Sequence, residues 1–282
     1  VRSEEFVLIE NGVYREVLAM AKKALVVDND FFFVEFLFEL LENRGYEVIK
    51  AYDGKEGISK LEESDFDILF ADLIMPKIDG LQLINFARRK SSESQLIIVA
   101  VSGTLIEQME DVKTIGADYC VVKGPLEEMT NIINGLLEKI EVHGASESNH
   151  EQMVETGKLY PRQATAELVE EMKFQKAVFD SIGIRILVVD RDARVMSANT
   201  MALEILNKPL EDLLNQRITA AFPQEGRGRL VNVLKDVAKN LNLKRRSLRL
   251  KFGSTELKLV ASMLRLGNDL DGWILTMEDI NS

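Results

Sequence analysis

From residue 24 to residue 141 short apolar runs alternate with stretches of helical period, and this alternation restricts the chain to few folds. The apolar runs cover 24–28, 46–50, 67–72, 95–101 and 119–122; the helical stretches cover 31–43, 54–63, 80–89, 105–114 and 126–141. Strands that are apolar on both faces need cover on both, and parallel neighbours can be joined only by a crossover, which the helices supply. The expected architecture is α/β, a five-stranded, parallel, doubly wound sheet. Gly45 falls where a helix C-cap belongs, and Pro125 suits the first turn of the last helix.

In such a sheet, ligands and chemistry collect at the carboxyl ends of the strands. The stretch FDILFADLIMPKIDG, residues 66–80, brings a strand to that edge, stops it at Asp72 and turns away through Pro76 and Gly80. Taken alone, Asp72 reads as a loop-capping residue. Other polar residues reach the same edge: Asp28 with Asn29 and Asp30 behind it, Ser102 with Gly103 behind it, and Lys123. With the first and third strands side by side, their oxygens converge on one point, which suits a hard divalent cation such as Mg²⁺. A carboxylate beside that ion can act as a nucleophile toward phosphorus. Ser102 and Lys123 then offer a hydroxyl and an ammonium to the phosphoryl oxygens.

The length of the chain suggests two domains. The chain has 282 residues, and its net charge of −11 argues against a broad nucleic-acid-binding surface. Cys120 is the single cysteine, which excludes an internal disulfide and a cysteine-cluster metal site. No apolar run approaches the roughly 18 residues needed to span a bilayer, and no signal-peptide pattern is present, so a cytoplasmic location without membrane association is expected.

Residues 1–23 carry Phe6, Ile9, Val13, Val17 and Met20 at helical spacing, interrupted by Gly12. They read either as a helix packed on the domain or a partner, or as an extension upstream of a start at Met20. The helix over 31–43 is apolar nearly all round (Phe31, Phe32, Phe33, Val34, Phe36, Leu37, Phe38, Leu40 and Leu41), which predicts a second contact surface besides the sheet. Residues 142–175 form a linker and signalling helix. From its second half onward, Ala164, Leu168, Met172, Gln175, Phe179 and Ile182 fit a short coiled-coil seam or a helix packed on its own domain.

Residues 176–282 change pattern. A hairpin over 184–190 and 195–198 leads into a helix over 200–206 capped by Asn199. Pro209, Pro223, Gly226 and Gly228 then break up the middle before a helix over 230–239. Strands over 246–252, 256–265 and 272–278 complete an α+β domain with an antiparallel sheet. Arg245, Arg246, Arg249 and Lys251 read as a solvated sheet face, with anion binding as the alternative; Trp273 reads as core.

Residues 24–141 closely resemble the receiver domain of two-component response regulators, a flavodoxin-like fold. The matching features are LVVDND, ADLIMPKIDG around Asp72, the VSG at strand four, and GADYCVVK. The resemblance implies that Asp72 accepts a phosphoryl group from a phosphohistidine on a histidine kinase or phosphotransfer protein. It also implies that Lys123 and Ser102 contact the phosphoryl group and that Asp28, the Asn29 position, Asp72 and the backbone of Met75 hold Mg²⁺. Three departures stand out. Asn29 replaces a charged ligand, so metal affinity falls unless Asp30 compensates. Cys120 stands three before the lysine, where the family keeps its switch aromatic, with Tyr119 on the opposite face of the strand. The usual Lys-Pro pair reads Lys123-Gly124-Pro125.

Residues 176–282 resemble a PAS sensor domain in VFDSI, GIRILVVDRDARVMSAN, PLEDLLNQR and DGWILTMEDIN. Such domains cradle a small molecule, haem or flavin, or nothing. With both histidines, His143 and His150, and the cysteine outside this part, a His-ligated haem has no ligand and a cysteinyl-flavin adduct cannot form. The expected protein is a two-component phosphorelay component, itself no enzyme, in which a receiver passes its state to a PAS sensing and homodimerisation module. The alternatives are the amino-terminal part of a hybrid sensor histidine kinase or cyclase, and a scaffold that signals without phosphorylation.

Overall fold

The computed structural model describes residues 5–8, 14–17, 21–91, 96–103, 116–143, 153–154, 174–239, 245–266 and 269–280; of 5–8, 14–17, 142–143, 153–154, 266 and 269 it describes the backbone alone. The chain divides into two compact units, Val1–Tyr160 and Pro161–Ser282.

In the first unit, β1 (Glu5–Leu8) and β2 (Tyr14–Val17) form an antiparallel pair in which Glu5 opposes Val17 and Leu8 opposes Tyr14. The expected amphipathic helix is therefore replaced by a hairpin at these residues. The sequence holds the reason: Asn11-Gly12 between two β-branched or aromatic runs is a strong hairpin signal, and it outweighs the helical spacing.

The large sheet follows the expected alternation. β3 (Lys23–Val27), α1 (Phe31–Glu42), β4 (Glu47–Ala51), α2 (Gly54–Glu63), β5 (Ile68–Asp72), α3 (Gly80–Lys90), β6 (Ile97–Ser102), β7 (Tyr119–Val122) and α4 (Leu126–His143) succeed one another. The expected helix over 105–114 lies outside the described residues. The strand order is β4-β3-β5-β6-β7, all parallel, and a two-residue strand from the linker, β8 (Met153–Val154), adds in parallel to the β7 edge. The linker thus contributes a sixth strand that periodicity gives no means of seeing in two residues.

Every residue of β5 is buried, as a central strand between two helical layers requires. On one face Phe33, Val34, Leu37 and Leu41 of α1 pack with Met129, Ile133, Leu136 and Leu137 of α4 over Val26, Phe70 and Val99. The apolar excess on α1 resolves unevenly. Phe36 and Leu40 join this core at its margin, and Lys50 Nζ lies 4.1 Å from the Phe38 ring. Only Phe31 and Phe32 remain open, 57 % and 82 % exposed, with Phe31 stacked on Tyr52 at 5.7 Å.

The second unit begins, within the described residues, with a helix over 174–181, α5. There follow β9 (Arg185–Asp190), β10 (Val195–Ala198), α6 (Thr200–Leu206), two 3₁₀ turns, α7 (Gln224–Lys239), β11 (Arg245–Phe252), β12 (Thr255–Leu266) and β13 (Asp269–Asp279). The antiparallel sheet runs β10-β9-β13-β12-β11. Helix α7 starts six residues before the expected position and carries both Gly226 and Gly228 in its first turns. Gly226 acts as a packing residue there: a Cβ would overlap the end of the Leu250 side chain, so glycine lets the helix lie on β11 without Leu250 having to shift. Leu187, Val189, Leu257, Leu259, Trp273, Leu275 and Met277 form the sheet side of one core, closed by Leu206, Phe222, Leu230 and Leu234. Trp273 is a core residue.

Candidate phosphoryl site

Four adjacent strands carry the site to one sheet edge. Val27 is in register with Ala71, Asp72 with Val101, and Ser102 with Val122. Asp28 follows Val27 directly, and its amide donates to the Ala51 carbonyl at 3.2 Å; the Lys123 amide donates to the Ser102 carbonyl at 2.7 Å. Asp28, Asp72 and Ser102 are all buried, the two carboxylates 1 % and 5 % exposed.

Lys123 closes the cluster. Its Nζ lies 2.6 Å from Asp28 Oδ2 and donates to Asp72 Oδ2 at 3.1 Å. The Phe33 ring stands 4.7 Å away, at cation–π distance. Burial alone would lower the lysine's pKa, but the charges of Asp72 and Asp28 outweigh it and hold the pKa above the ordinary value. Asp28 is pushed up to about 6, first by burial and then by the charge of Asp72, with Lys123 pulling the other way. Two buried carboxylates facing one ammonium leave the pocket short of positive charge.

The remaining carboxylate oxygens are committed locally. Asp28 Oδ1 accepts from the Asp30 amide at 2.8 Å, and Asp72 Oδ1 accepts from the Ile74 amide at 3.2 Å. Asp30 is the N-cap of α1, its side chain accepting from the amides of Phe32 and Phe33. It does not compensate for Asn29 in this arrangement; Asn29, next to Asp28 in the chain, is exposed. Met75 lies in the loop that carries β5 into α3, its side chain buried. Among the described residues no group of three or more His, Cys, Asp or Glu is placed to hold a metal. The donors that are present, two buried carboxylates with neutral oxygens around them, fit one hard divalent cation with less charge than three carboxylates would give.

The loop after Asp72 is held by a close approach. Gly80 opens α3, its amide donates to the Leu73 carbonyl at 3.2 Å, and a Cβ there would overlap the Asp72 carbonyl oxygen and sit 2.6 Å from Leu73 Cα. Asp79 caps the same helix in a reciprocal box with Gln82. The inserted Gly124 leaves the lysine in reach of both carboxylates, and the Pro125 carbonyl accepts from Met129 in the first turn of α4. Cys120 is buried, and burial pushes its thiol up to about 12. Tyr119 is half-buried against the core on the α1 and α4 side, so it does not stand in for the residue at Cys120.

Sequence reasoning brings together Asp28, Asp72, Ser102 and Lys123, and the structure places all four at one edge. It missed Phe33, because an aromatic inside an apolar helix carries no mark of facing a lysine. It also missed the knot at the opposite end of the sheet, where Arg88 donates to the Gly116 and Leu96 carbonyls and pairs with Asp118.

In the second unit, Asn199 is fully buried and fully used. Its Oδ1 accepts from Ile186 and Ala202, and its Nδ2 donates to the Ile184 carbonyl at 2.8 Å and the Phe179 carbonyl at 3.3 Å. Asp180 of α5 accepts from the Thr200 amide and hydroxyl. The end of α5 is thereby tied to β9 and α6. Pro223, Gln224, Glu225, Lys251 and Gly253 line an open surface pocket of about 440 Å³, apart from the core. No described helix is long and apolar enough to cross a membrane.

Comparison with known proteins agrees with both units. The model of the response regulator receiver domain matches residues 24–134, and that of the PAS fold matches residues 173–280. The transcriptional regulatory protein YrkP of Bacillus subtilis, itself uncharacterised, is 27 % identical over 190 residues, 67 % of this chain and 81 % of YrkP. The alkaline phosphatase synthesis regulator PhoP of the same organism is 27 % identical, over 48 % of this chain. The response regulator ArlR of Staphylococcus saprophyticus is 29 % identical, over 42 %. The chain spans about half the length of these last two, 56 % and 53 %. Among solved structures, the response regulator TrrA of Thermotoga maritima, in complex with Mg²⁺ and BeF, is 28 % identical; the match covers 43 % of this chain and 96 % of that one, at a TM-score of 0.36. A PAS domain from Colwellia psychrerythraea is 13 % identical; the match covers 39 % of this chain and 97 % of that one, at a TM-score of 0.34. The chain carries the domains of a two-component signalling protein, a response regulator receiver domain followed by a PAS domain.

Proposed function

We propose that the receiver accepts a phosphoryl group on Asp72 from the phosphohistidine of a partner histidine kinase or phosphotransfer protein and passes its state to the PAS domain. The observation that carries this reading is the Lys123 ammonium set between Asp28 and Asp72 at the sheet edge, with the Ser102 residue buried beside them. An oxygen of Asp72 attacks phosphorus as the phosphorus–nitrogen bond of the donor breaks, and the imidazole leaves with the bond's electron pair. Lys123 and the Ser102 hydroxyl take the phosphoryl oxygens. A divalent cation, Mg²⁺, would be held by Asp28, Asn29, Asp72 and the Met75 carbonyl, and it supplies charge neutralisation when bound. The PAS domain contributes sensing and homodimerisation.

The test uses the full chain with acetyl phosphate and Mg²⁺, read by intact mass. A gain of one phosphoryl group that Asp72→Asn abolishes supports the reading; no gain overturns it. The exposed Asn29 and the capping role of Asp30 favour one second reading, a receiver that signals by binding alone. Unchanged partner binding by Asp72→Asn would select it.

A further inference from the structure

The pleat sorts the four cations of β11 onto two faces. Arg246 lies on the helix side with Leu248, Leu250 and Phe252 and pairs with Asp236 of α7 at 3.1 Å. Arg245, Arg249 and Lys251 alternate onto the opposite face, where all three are exposed; Lys251 stands opposite the exposed Glu256 in the β11–β12 register. Arg249 stands directly opposite Lys258 in the β11–β12 register, a like-charge pair that weakens the sheet. Lys258 turns to Glu278 on the next strand at 2.8 Å, so no acid stands directly opposite Arg249 on β12. Among the described residues β11 is the last strand of its sheet, so alternate backbone groups along its eight residues face outward. On its inner side Leu248 and Phe252 are only half-buried.

We propose that β11 receives an extended segment of another protein as a sixth strand, one in which Asp or Glu alternates with apolar residues. Strand addition places the acidic side chains about 4.8 Å from Arg245, Arg249 and Lys251 on the outer face, while the intervening apolar side chains cover Leu248 and Phe252. The charge pattern selects this occupant over others. A second copy pairing through the same strand would set cations against cations. Nucleic acid would meet three cations on a chain of net charge −11. This docking surface is independent of the phosphoryl chemistry at Asp72.

The test titrates the full-length chain into a fluorescein-labelled ten-residue peptide of alternating Glu and Val and follows anisotropy. Saturable binding is expected, weakened at least ten-fold by Arg249→Glu/Lys251→Glu and by N-methylation of alternate peptide amides. A Lys–Val peptide should show the reverse preference and bind the charge-reversed variant. The milder Arg249→Ala/Lys251→Ala variant and a thermal melt separate lost binding from lost fold. Absence of binding, indifference to either change, stronger competition by an oligonucleotide, or dimerisation of the chain through this edge would overturn the proposal.

Discussion

Lys123 Nζ lies closer to Asp28 than to Asp72, the proposed phosphoryl acceptor, 2.6 Å against 3.1 Å. The lysine is thus the resident cation of a pocket with two buried carboxylates. Removing the Asp72 charge should relieve Asp28. Asp72→Asn is expected to lower the pKa of Asp28 below its value of about 6 and to raise the melting temperature at pH 7.5 in EDTA. Carboxyl carbon NMR and a thermal melt check both. An unchanged Asp28 titration would show that burial alone sets it.

The same carboxylate makes stability depend on pH. The folded-state pKa of Asp28 is raised above its unfolded value near 3.8. Its contribution is therefore fully present below about pH 4 and is lost as pH rises through about 6. That loss is about 3 kcal/mol and opposes the stabilising carboxylates elsewhere. Urea denaturation between pH 5 and pH 7.5 in EDTA should show Asp28→Asn losing less stability with rising pH than wild type.

Asn29 and Asp30 are separable by substitution. Asn29→Asp adds a carboxylate next to Asp28 in the chain and should tighten Mg²⁺ binding by roughly ten-fold, read by calorimetry. Asp30→Ala removes the α1 cap, which accepts from Phe32 and Phe33, and should cost about 1 kcal/mol in stability while leaving Mg²⁺ affinity near wild type. A large affinity loss in Asp30→Ala would mean that Asp30 reaches the metal after all.

The sheet and the edge residues Asp28, Asp72, Ser102 and Lys123 could be read because buried parallel strands leave continuous apolar runs, and polar residues that end such runs are conspicuous. The role of Asp30 could not be read: a carboxylate one residue before a helix serves equally as cap or ligand until the backbone is placed. At the N-terminus helical spacing among five apolar residues competes with the turn signal of Asn11-Gly12, and the pairing of β1 with β2 shows which prevails. Gly226 and Gly228 read as helix breaks in the sequence, which carries no sign that Leu250 presses against one of them.

Gly80 should be among the least replaceable positions of the receiver. Gly80→Ala drives a methyl group into the Asp72 carbonyl and the Leu73 backbone, and α3 cannot retreat without opening its capping box at Asp79 and Gln82. Overpacking of this kind costs about 1–3 kcal/mol. It should also move Asp72, so phosphorylation by acetyl phosphate should slow more than the stability loss explains; wild-type kinetics in Gly80→Ala would refute the link.

Cys120 gives a test of whether the β7 strand opens. Its thiol is buried and pushed up to about 12, so at pH 7.5 almost none is thiolate. Labelling by iodoacetamide in native buffer should be slower than in urea by several orders of magnitude and should track opening of the sheet edge. The linker strand β8 pairs Met153 with Cys120 and Val154 with Val121 at that edge. Val154→Pro removes a ladder amide from β8 and should accelerate labelling if the linker shields the strand. An unchanged rate with an unchanged melting temperature would place the protection in the helices that cover β7 and leave the linker strand without a part in it.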